Sequence, residues 1–391
     1  MTLPMILPGA TLGVLGGGQL GRMFTIAALT MGYRVIVLDP DKNSPAGMIA
    51  SEHICADYRD AAALERMSRE CAAVTTEFEN VHADSLRILA RHTVVRPGGD
   101  AVAIVQDRAQ EKSFLRDNGF ATAPFALVNT AADLEAALKA TGFPALLKIS
   151  RFGYDGKGQM KVNSLDEAKT AYAAMGNEIC VVEGFLPLVA ELSVVLARDH
   201  AGKTACYPAA ENQHRNGILD ISMVPARVSQ KIADQARDMA VGIAGKLNYC
   251  GVMAVEFFLL EGDRIVVNEI APRPHNSGHY TLDACLTDQF EQQVRALCGL
   301  PLGEPRLFSP VVMVNLLGDV WGDSQPAWGA LLKHPNIKLH LYGKQAARPG
   351  RKMGHFNCVA QTLEAGLATA LAARAAIGVE GAPSDAREPA A

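Results

Sequence analysis

The feature that most constrains this fold is a glycine-rich turn between two strand-like runs, residues 145–150 and 159–162. The turn contains three glycines and a lysine: Gly153, Gly156, Lys157 and Gly158. Glycines at this density let backbone N–H groups converge on an anion, and Lys148 adds positive charge in the first run. The Walker A pattern is absent, and a strand follows instead of a helix. Taken alone, the turn is typical both of a loop that covers phosphates and of a glycine-rich hairpin tip.

A second glycine motif lies near the N-terminus, where Gly16-x-Gly18-x-x-Gly21 follows a short apolar strand. A helical pattern over 22–31 and a strand that ends at Asp39 complete a βαβ unit, whose turn favours an anion. The spacing matches the dinucleotide fingerprint, with Asp39 near the position of a ribose-binding acid. A Rossmann dehydrogenase is therefore one interpretation, although the same turn can hold other phosphorylated small molecules.

The order of predicted elements divides the chain into three parts. Repeated βα units come first, and a linking helix begins near Arg108. Two β-α-β passages around the glycine-rich turn predict a small lid, and a long helix at 229–246 follows it. The predicted domains are 1–110, 111–298 with a lid at roughly 123–186, and 299–391. The pattern predicts an α/β (α+β) protein.

Two strand-like runs, 252–260 and 264–270, contain Glu256 and Glu269. A two-residue loop at 262–263 would close a hairpin in which these acids face each other. Directly opposed Cβ atoms are roughly 4.5–5.5 Å apart, and two carboxylates there repel each other unless a cation lies between them. Mg²⁺ binds through one or two carboxylates together with phosphates, so the pair predicts a magnesium site. The alternative is a pair of solvated acids on an exposed hairpin. Asn268 falls on the opposite face of a regular strand.

Composition restricts the class of protein. Of the 391 residues, 49% are hydrophobic and 20% charged, as expected of a soluble globular protein. A formal net charge of -4 gives no reason to expect nucleic acid or an anionic membrane as a partner. The eight cysteines form no C-x-x-C pair, and there is no signal-peptide pattern or bilayer-spanning apolar run. These features predict a cytoplasmic protein with free thiols.

Taken together, the motifs resemble those of the ATP-grasp carboxylate–amine ligases, and among these the N5-carboxyaminoimidazole ribonucleotide synthetases of purine biosynthesis. The supporting sequences are LGGGQLGRM at 15–23, TTEFENV at 75–81, FGYDGKGQ at 152–159, NEIAPRPHNSGH at 268–279 and PGRKMGHFN at 349–357. They span most of the chain. The resemblance implies an ATP-grasp fold and argues against the dehydrogenase, because the N-terminal βαβ unit of this family helps to hold a ribotide and binds no NAD.

The resemblance also implies an ATP site. Cations contact the phosphates, the glycine-rich turn covers them, the strap at 183–186 pairs with adenine, and Glu191 binds the ribose. His214 contacts the nucleotide, although a histidine in the predicted polar loop 211–216 would by itself be ordinary surface. The residues implied for ATP are Arg108, Lys148, Gly153, Tyr154, Asp155, Gly156, Lys157, Gly158, Gln159, Glu183, Gly184, Phe185, Leu186, Glu191, His214, Asn268 and Glu269, with Glu256 and Glu269 as metal ligands.

On the acceptor side, the resemblance implies that ATP phosphorylates bicarbonate, and that the amine of 5-aminoimidazole ribonucleotide takes the carboxyl group. The residues implied for catalysis are Tyr154, Asp155, Lys157 and Arg273. Arg273 would hold bicarbonate, and Asp155, otherwise a good turn former, would orient the amine. The residues implied for the ribotide are Gly18, Gln19, Glu77, Lys344, Arg351 and Lys352. Basic runs such as 348–352 are also common as solvated surface. A homodimer is expected.

Two other functions stay open on sequence alone. A different ATP-grasp enzyme, such as a formyl transferase acting on another purine ribotide or an amino-acid ligase, would share the ATP residues but not the motifs GGGQLG, GYDG and GRKMGH. A regulatory nucleotide-binding protein would not need the paired acids Glu256 and Glu269 beside Lys148.

Overall fold

The structure, a computed structural model, describes residues 5–151, 158–322 and 324–379. The N-terminal part alternates strands and helices: β1 (Thr11–Leu15), α1 (Gln19–Thr30), β2 (Arg34–Leu38), β3 (Glu52–Ile54), α2 (Ala61–Glu70), β4 (Ala73–Thr76), α3 (Ala83–Leu89), β5 (Val94–Val95) and α4 (Gly99–Val105). The strands form a five-stranded parallel sheet in the order β3-β2-β1-β4-β5. The carboxyl ends of neighbouring β1 and β4 lead directly into the glycine turn and into Glu77.

Helix α1 begins at Gln19, one turn before the predicted start at Arg22. Gly18 is its N-cap and makes no side-chain capping bond. Glu77, which follows the neighbouring strand β4, supplies the missing cap. Its carboxylate accepts the N–H groups of Gly18 at 2.5 Å and Gly21 at 2.6 Å. A cap that comes from 59 residues away in sequence is invisible to local pattern reading.

The lid forms the second sheet. Its elements, after the linking helix α5 (Arg108–Asp117), are β6 (Phe125–Val128), α6 (Leu134–Thr141), β7 (Ala145–Ile149), β8 (Gln159–Val162), α7 (Leu165–Ala174) and β9 (Cys180–Gly184). The strands are antiparallel in the order β6-β9-β7-β8, and an apolar core of both lid helices packs on one face. The linking helix begins at Arg108, as predicted, and the elements of the predicted lid form one sheet, while their role as a lid stays a prediction.

The third sheet is the largest. Its elements are β10 (Leu188–Arg198), β11 (Thr204–Cys206), β12 (Ala210–Arg215), β13 (Ile218–Val224), α8 (Gln230–Lys246), β14 (Gly251–Leu260), β15 (Arg264–Ala271), α9 (Thr281–Ala284), α10 (Gln289–Cys298), β16 (Val311–Leu317), α11 (Trp328–Leu331), β17 (Ile337–Leu341), β18 (Lys352–Val359) and α12 (Leu363–Ala376). Short 3-10 turns lie at Ala131–Asp133, Asn276–Gly278 and Gly318–Val320.

Nine strands of the described chain form this sheet, in the order β15-β14-β10-β12-β13-β16-β18-β17 with β11 beside β10. The strands of the C-terminal segment therefore continue the sheet of the middle segment, through the antiparallel pair β13 and β16. The mixed α/β class is confirmed, and the domain boundaries stay a prediction.

The predicted polar loop at 211–216 is wrong, because these residues lie in the hairpin of β12 and β13. Polar residues dominate β12 because its side chains meet polar partners: Asn212 donates to Ser193 at 2.9 Å and accepts from Ser222 at 2.7 Å. The turn is Asn216-Gly217, with φ of 51° and 74°. Asn-Gly between strands is a strong hairpin signal, and it could have identified this turn.

Helix α10 fastens the N-terminal sheet to the rest of the molecule. The buried guanidinium of Arg96 donates to the carbonyls of Ala296 and Leu297, both at 2.9 Å. Gln293 on the same helix donates to Thr75 at 2.7 Å. These contacts bring the glycine turn of α1 to the edge of the large sheet.

Two predictions from composition can be compared with the structure. All eight cysteines are free thiols, as expected. No helix among the described residues is both long enough and apolar enough to cross a membrane.

Candidate active site

A cavity of about 860 Å³ opens where the three sheets meet. Its first part, here called the nucleotide half, is lined by Arg108, Lys148, Glu183, Glu191, His214, Glu256 and Glu269. Its second part, the acceptor half, is lined by Gln19, Glu77, Arg273, Lys344, Arg351 and Lys352. Of the predicted site residues that the structure describes, Gly18 alone is not part of the lining. The predicted residues therefore converge on one space, and their individual roles stay predictions.

Lys148 ends the buried part of β7 and pairs with Glu183 of the neighbouring strand β9, Nζ to Oε2, at 3.1 Å. A second lysine, Lys112 of α5, lies 3.3 Å from the same oxygen. Burial alone would raise the pKa of Glu183, but these lysines and Arg108 together hold it well below its ordinary value. Burial lowers the pKa of Lys148 although Glu183 opposes that shift. Sequence reasoning missed Lys112, since a lysine on an amphipathic helix normally indicates solvent exposure.

Glu256 on β14 faces Glu269 on β15, as predicted. The predicted turn is nevertheless wrong, because Leu260 pairs with Arg264 and the loop has three residues, not two. A β-bulge at Asn268 shifts the register by one residue and brings the two acids back opposite each other. The strand is therefore not regular, and Asn268 lines the cavity together with Glu269.

The two acids fit a hard divalent cation held jointly with phosphates. Burial and then the charge of Glu269 raise the pKa of Glu256 well above its ordinary value, so the pair without a cation is electrostatically unfavourable. Within the described ranges there is no group of three His, Cys, Asp or Glu residues that could hold a metal alone. Mg²⁺ suits such a site, because it commonly binds through one or two carboxylates and takes its other oxygens from substrate phosphates and water. Arg108 lies 3.7 Å from Glu269 and adds positive charge nearby.

His214 and Glu191 form a pair on adjacent strands at the edge of the nucleotide half. Their Nδ1 and Oε2 atoms are 3.1 Å apart. Burial alone would lower the pKa of His214, but the Glu191 carboxylate outweighs it and raises that pKa to about 9. The histidine is therefore a cation near neutral pH, next to the carboxylate predicted to bind the ribose.

The predicted strap, residues 183–186, begins inside a strand. β9 runs to Gly184, between β6 and β7. The N–H groups of Gly184 and Phe185 donate to the carbonyls of Pro124 at 2.8 Å and Pro144 at 3.1 Å. An adenine contact from the strap would then depend on its carbonyl groups and on Leu186. The sequence pattern predicts this strand at 178–182, two residues too early, because the strand continues through the ion-paired Glu183.

In the acceptor half, the amides of the glycine turn donate to two carboxylates of the protein itself. Glu77 accepts from Gly18 and Gly21, and Asp39 accepts from Gly17 at 2.7 Å and from Tyr58 at 2.7 Å. The Asp39 carboxylate therefore bonds within the turn. The dehydrogenase interpretation would require it to bind a ribose instead. The raised pKa of Glu77, caused first by burial, reflects its enclosed position at the cavity wall.

The C-terminal basic segment faces this turn, as predicted. Arg351 donates to the Ala346 carbonyl at 2.9 Å, and Lys344 donates to the Lys352 carbonyl at 2.7 Å. The cationic side chains of this segment line the same cavity as Gln19.

Arg273 follows the hairpin of β14 and β15 and forms a two-pronged pair with Glu79 of the N-terminal part, through Nε to Oε2 and Nη2 to Oε1. Sequence reasoning missed the next two lining residues. His275 accepts a hydrogen bond from the Ser277 N–H on Nδ1, which leaves Nε2, 3.2 Å from Glu256, as the donor. Asn276 is 7% exposed, and neither atom of its amide has a hydrogen-bond partner within the part of the chain that the structure describes. Buried polar atoms of this kind are available to a bound ligand.

Some predicted residues cannot be compared with the geometry. Gly153, Tyr154, Asp155, Gly156 and Lys157 lie outside the described residues. The two ends of the turn are described. Gln159 pairs with Lys148 across β7 and β8, and the Gly158 carbonyl accepts the Ile149 N–H at 2.8 Å. The two predicted strand-like runs are therefore confirmed, and they pair with each other at the base of the turn.

Three family models match the chain in the order of its three parts. A ribonucleotide synthetase preATP-grasp domain matches 9–106, an ATP-grasp domain matches 113–290, and a phosphoribosylaminoimidazole carboxylase C-terminal domain matches 311–369. The ATP-grasp fold predicted from the motifs is thereby confirmed.

Individual relatives agree with this assignment. The N5-carboxyaminoimidazole ribonucleotide synthase of Bacillus subtilis (strain 168) is 44% identical over 365 residues, which cover 92% of this chain and 94% of the relative. A solved ADP complex of an N5-carboxyaminoimidazole ribonucleotide synthetase is 40% identical, with a TM-score of 0.89 and coverage of 95% and 97%. The Aspergillus clavatus enzyme, solved with ADP and 5-aminoimidazole ribonucleotide, is 33% identical, with a TM-score of 0.88 and coverage of 94% and 98%. The chain therefore belongs to the N5-carboxyaminoimidazole ribonucleotide synthase family of ATP-grasp ligases.

Proposed function

We propose that this protein uses ATP to join bicarbonate to 5-aminoimidazole ribonucleotide, which gives N5-carboxyaminoimidazole ribonucleotide, ADP and phosphate. One observation carries the proposal: the nucleotide half and the acceptor half line the same cavity. The family assignment and the Aspergillus clavatus relative, solved with ADP and 5-aminoimidazole ribonucleotide, support the same acceptor.

In the first step, a bicarbonate oxygen attacks the γ-phosphorus of ATP, and the bond between that phosphorus and the β,γ-bridging oxygen breaks to release ADP. The product is carboxyphosphate. Lys148 and Arg108 would neutralise charge on the phosphates, which is the main requirement of phosphoryl transfer. Mg²⁺, held by Glu256 and Glu269, would supply further charge neutralisation. Arg273 and the amide of Asn276, which no other described residue bonds, are suited to hold the bicarbonate.

In the second step, the exocyclic amine of the ribotide attacks the carboxyl carbon of carboxyphosphate, or CO₂ released from it. The C–O bond to phosphate breaks, the amine loses a proton, and inorganic phosphate leaves. Asp155 and Tyr154 are our proposed partners for the amine, with Lys157 beside the phosphates. Their assignment rests on the sequence motif GYDGKGQ at 153–159.

The acceptor half provides the seat for the ribotide. Lys344, Arg351 and Lys352 would bind its phosphate, since charge-assisted bonds from arginine are strong and directional. Gln19 and Glu77 would contact the ribotide from the N-terminal side, with Gly18 supporting Glu77 through its amide. We further propose a cytoplasmic homodimer, in keeping with the free cysteines and the family resemblance.

Phosphate release from ATP tests the function when each substrate is omitted in turn. We expect release to require the ribotide and bicarbonate together, with one carboxylated ribotide formed for each phosphate. Glycinamide ribotide with formate serves as the matched alternative acceptor pair. Turnover with that pair, and none with bicarbonate and 5-aminoimidazole ribonucleotide, would assign the protein to a different ATP-grasp reaction.

A further inference from the structure

Lys112 is a buried lysine that the proposed chemistry does not use. It lies on α5, its side chain is 0% exposed, and it is not part of the cavity lining. Lysine is rarely buried to this extent unless its ammonium group is paired. Here Nζ lies 3.3 Å from Oε2 of Glu183 on β9 and donates to the Asn268 carbonyl on β15 at 2.8 Å. Lys112 therefore joins a strand of the lid to the strand that carries Glu269.

The contact on β15 falls at the β-bulge. The extra residue of the bulge, Asn268, sets the register in which Glu269 faces Glu256. A bulge interrupts the ladder, so a buried carbonyl there needs a donor from elsewhere. Lys112 is that donor, and its neighbour Glu111 accepts the Ile270 N–H at 2.5 Å. Helix α5 thus holds the main chain on both sides of Glu269.

The contact on β9 changes the charge next to the phosphate site. Glu183 lies between two ammonium groups, 3.1 Å from Lys148 and 3.3 Å from Lys112. A pair of Lys148 and Glu183 alone would be neutral, whereas the three charged groups together carry one net positive charge. Lys112 therefore compensates the carboxylate and leaves the positive charge of Lys148 available to phosphate oxygens.

The geometry points to Lys112 as a positioning residue for both the nucleotide phosphates and the metal carboxylates. Lys112 acts on the phosphate site through Glu183 and on the metal carboxylates through the Asn268 carbonyl. It touches no substrate. This inference rests on the proposed nucleotide and metal site, but it does not depend on the acceptor.

Calorimetric binding of ADP, with and without Mg²⁺, tests this role without turnover. The variant is Lys112→Met, and the matched control is Arg374→Met. Arg374 is also a buried cation, 2% exposed and paired with Asp220 at 2.9 Å, on a helix that does not contribute to the cavity. Both substitutions remove one partner of a buried ion pair, so both are expected to lower Tm.

We expect Lys112→Met to weaken MgADP binding by about tenfold relative to wild type, since the loss of a bond to a charged group is of this size. We also expect Mg²⁺ to strengthen ADP binding less in this variant, whereas Arg374→Met keeps the wild-type values. If either the MgADP affinity or the Mg²⁺ enhancement of Lys112→Met equals that of Arg374→Met, Lys112 is only a stability residue and the inference is overturned.

A variant that keeps the charge covers the case in which Lys112→Met does not fold. Lys112→Arg retains the cation, but its planar guanidinium cannot place one nitrogen between Glu183 and the Asn268 carbonyl in the same way. We expect severalfold weaker MgADP binding than in Arg374→Lys, and equal binding would overturn the inference. A wild-type protein that does not bind MgADP would instead contradict the proposed function, which keeps the two failures distinct.

Discussion

The two halves of the cavity hold their cations in different ways. In the nucleotide half, the buried Lys148 contacts the carboxylate of Glu183 on a neighbouring strand, and Lys112, which is buried outside the lining, contacts the same carboxylate. In the acceptor half, Lys344 and Arg351 are partly exposed and donate to carbonyls of their own segment. Buried charge pairs between elements tie the nucleotide half to the stability of the fold. The acceptor half depends on two distant segments meeting at the cavity edge, so substitutions there should act selectively on one ligand.

The largest effect should come from the metal pair. We expect Glu269→Gln to lower kcat for phosphate release on the order of a thousandfold, because charge neutralisation at the transferring phosphate is lost. The Tm of the metal-free protein should stay the same or rise slightly, since the repulsion with Glu256 is removed. The control is Glu261→Gln, an exposed position at the turn of the same hairpin. Near-normal turnover of Glu269→Gln would refute the metal assignment.

In the acceptor half, the expected effect is smaller and selective. Arg351→Ala should raise the ribotide KM on the order of a hundredfold and leave the ATP KM almost unchanged. Steady-state titrations of both substrates measure this, with Arg306→Ala as control, because Arg306 pairs with Glu304 on the surface outside the cavity. A changed ATP KM with an unchanged ribotide KM would mean that Arg351 serves the nucleotide and not the ribotide.

Asn276 lines the same cavity, in the segment that follows β15. Its buried amide, which has no hydrogen-bond partner among the described residues, should bind bicarbonate, so Asn276→Ala should raise the bicarbonate KM by about tenfold. The constants for ATP and ribotide should not move. Asn163→Ala, at an exposed position of the lid, provides the control. An unchanged bicarbonate KM would mean that Asn276 does not contact bicarbonate.

The smallest effect concerns stability and pH in the nucleotide half. Glu191 raises the pKa of His214 from its ordinary 6.5 to about 9 against the effect of burial. The stabilisation by the charged pair is therefore complete below pH 6.5 and is lost as pH rises through 9. The free energy of unfolding of wild type, relative to His214→Gln, should fall across this window by on the order of 1 kcal/mol. Urea unfolding at several pH values measures it, with the exposed His200→Gln as control. A difference that does not vary with pH would mean that His214 is not paired in this way.

The opposed acids show both the reach and the limit of sequence reasoning. Glu256 and Glu269 were predicted to face each other, and they do, but the predicted two-residue turn is one residue too short. The bulge at Asn268 corrects the register, and no local pattern indicates it. Its donor, Lys112, lies 156 residues away in sequence.

Other differences have similar causes. The polarity of residues 211–216 predicts a loop, although Asn216-Gly217 is a hairpin signal that indicates two strands. The helical pattern predicts the start of α1 one turn too late, because its cap is Glu77, which follows β4. Motifs with their own chemistry could be located from sequence. Lys112, which acts only through tertiary partners, and Asn276, whose burial depends on the tertiary fold, could not.

The most direct test of the account follows an oxygen atom from bicarbonate to phosphate. If bicarbonate attacks the γ-phosphorus of ATP in this cavity, one of its oxygens becomes the bridge of carboxyphosphate and stays with phosphorus when the C–O bond breaks. With ¹⁸O-labelled bicarbonate, ATP and 5-aminoimidazole ribonucleotide, mass spectrometry should therefore find one ¹⁸O in each phosphate released. Carboxylated ribotide formed together with unlabelled phosphate would mean that bicarbonate is not phosphorylated, and would contradict the proposed activation by ATP.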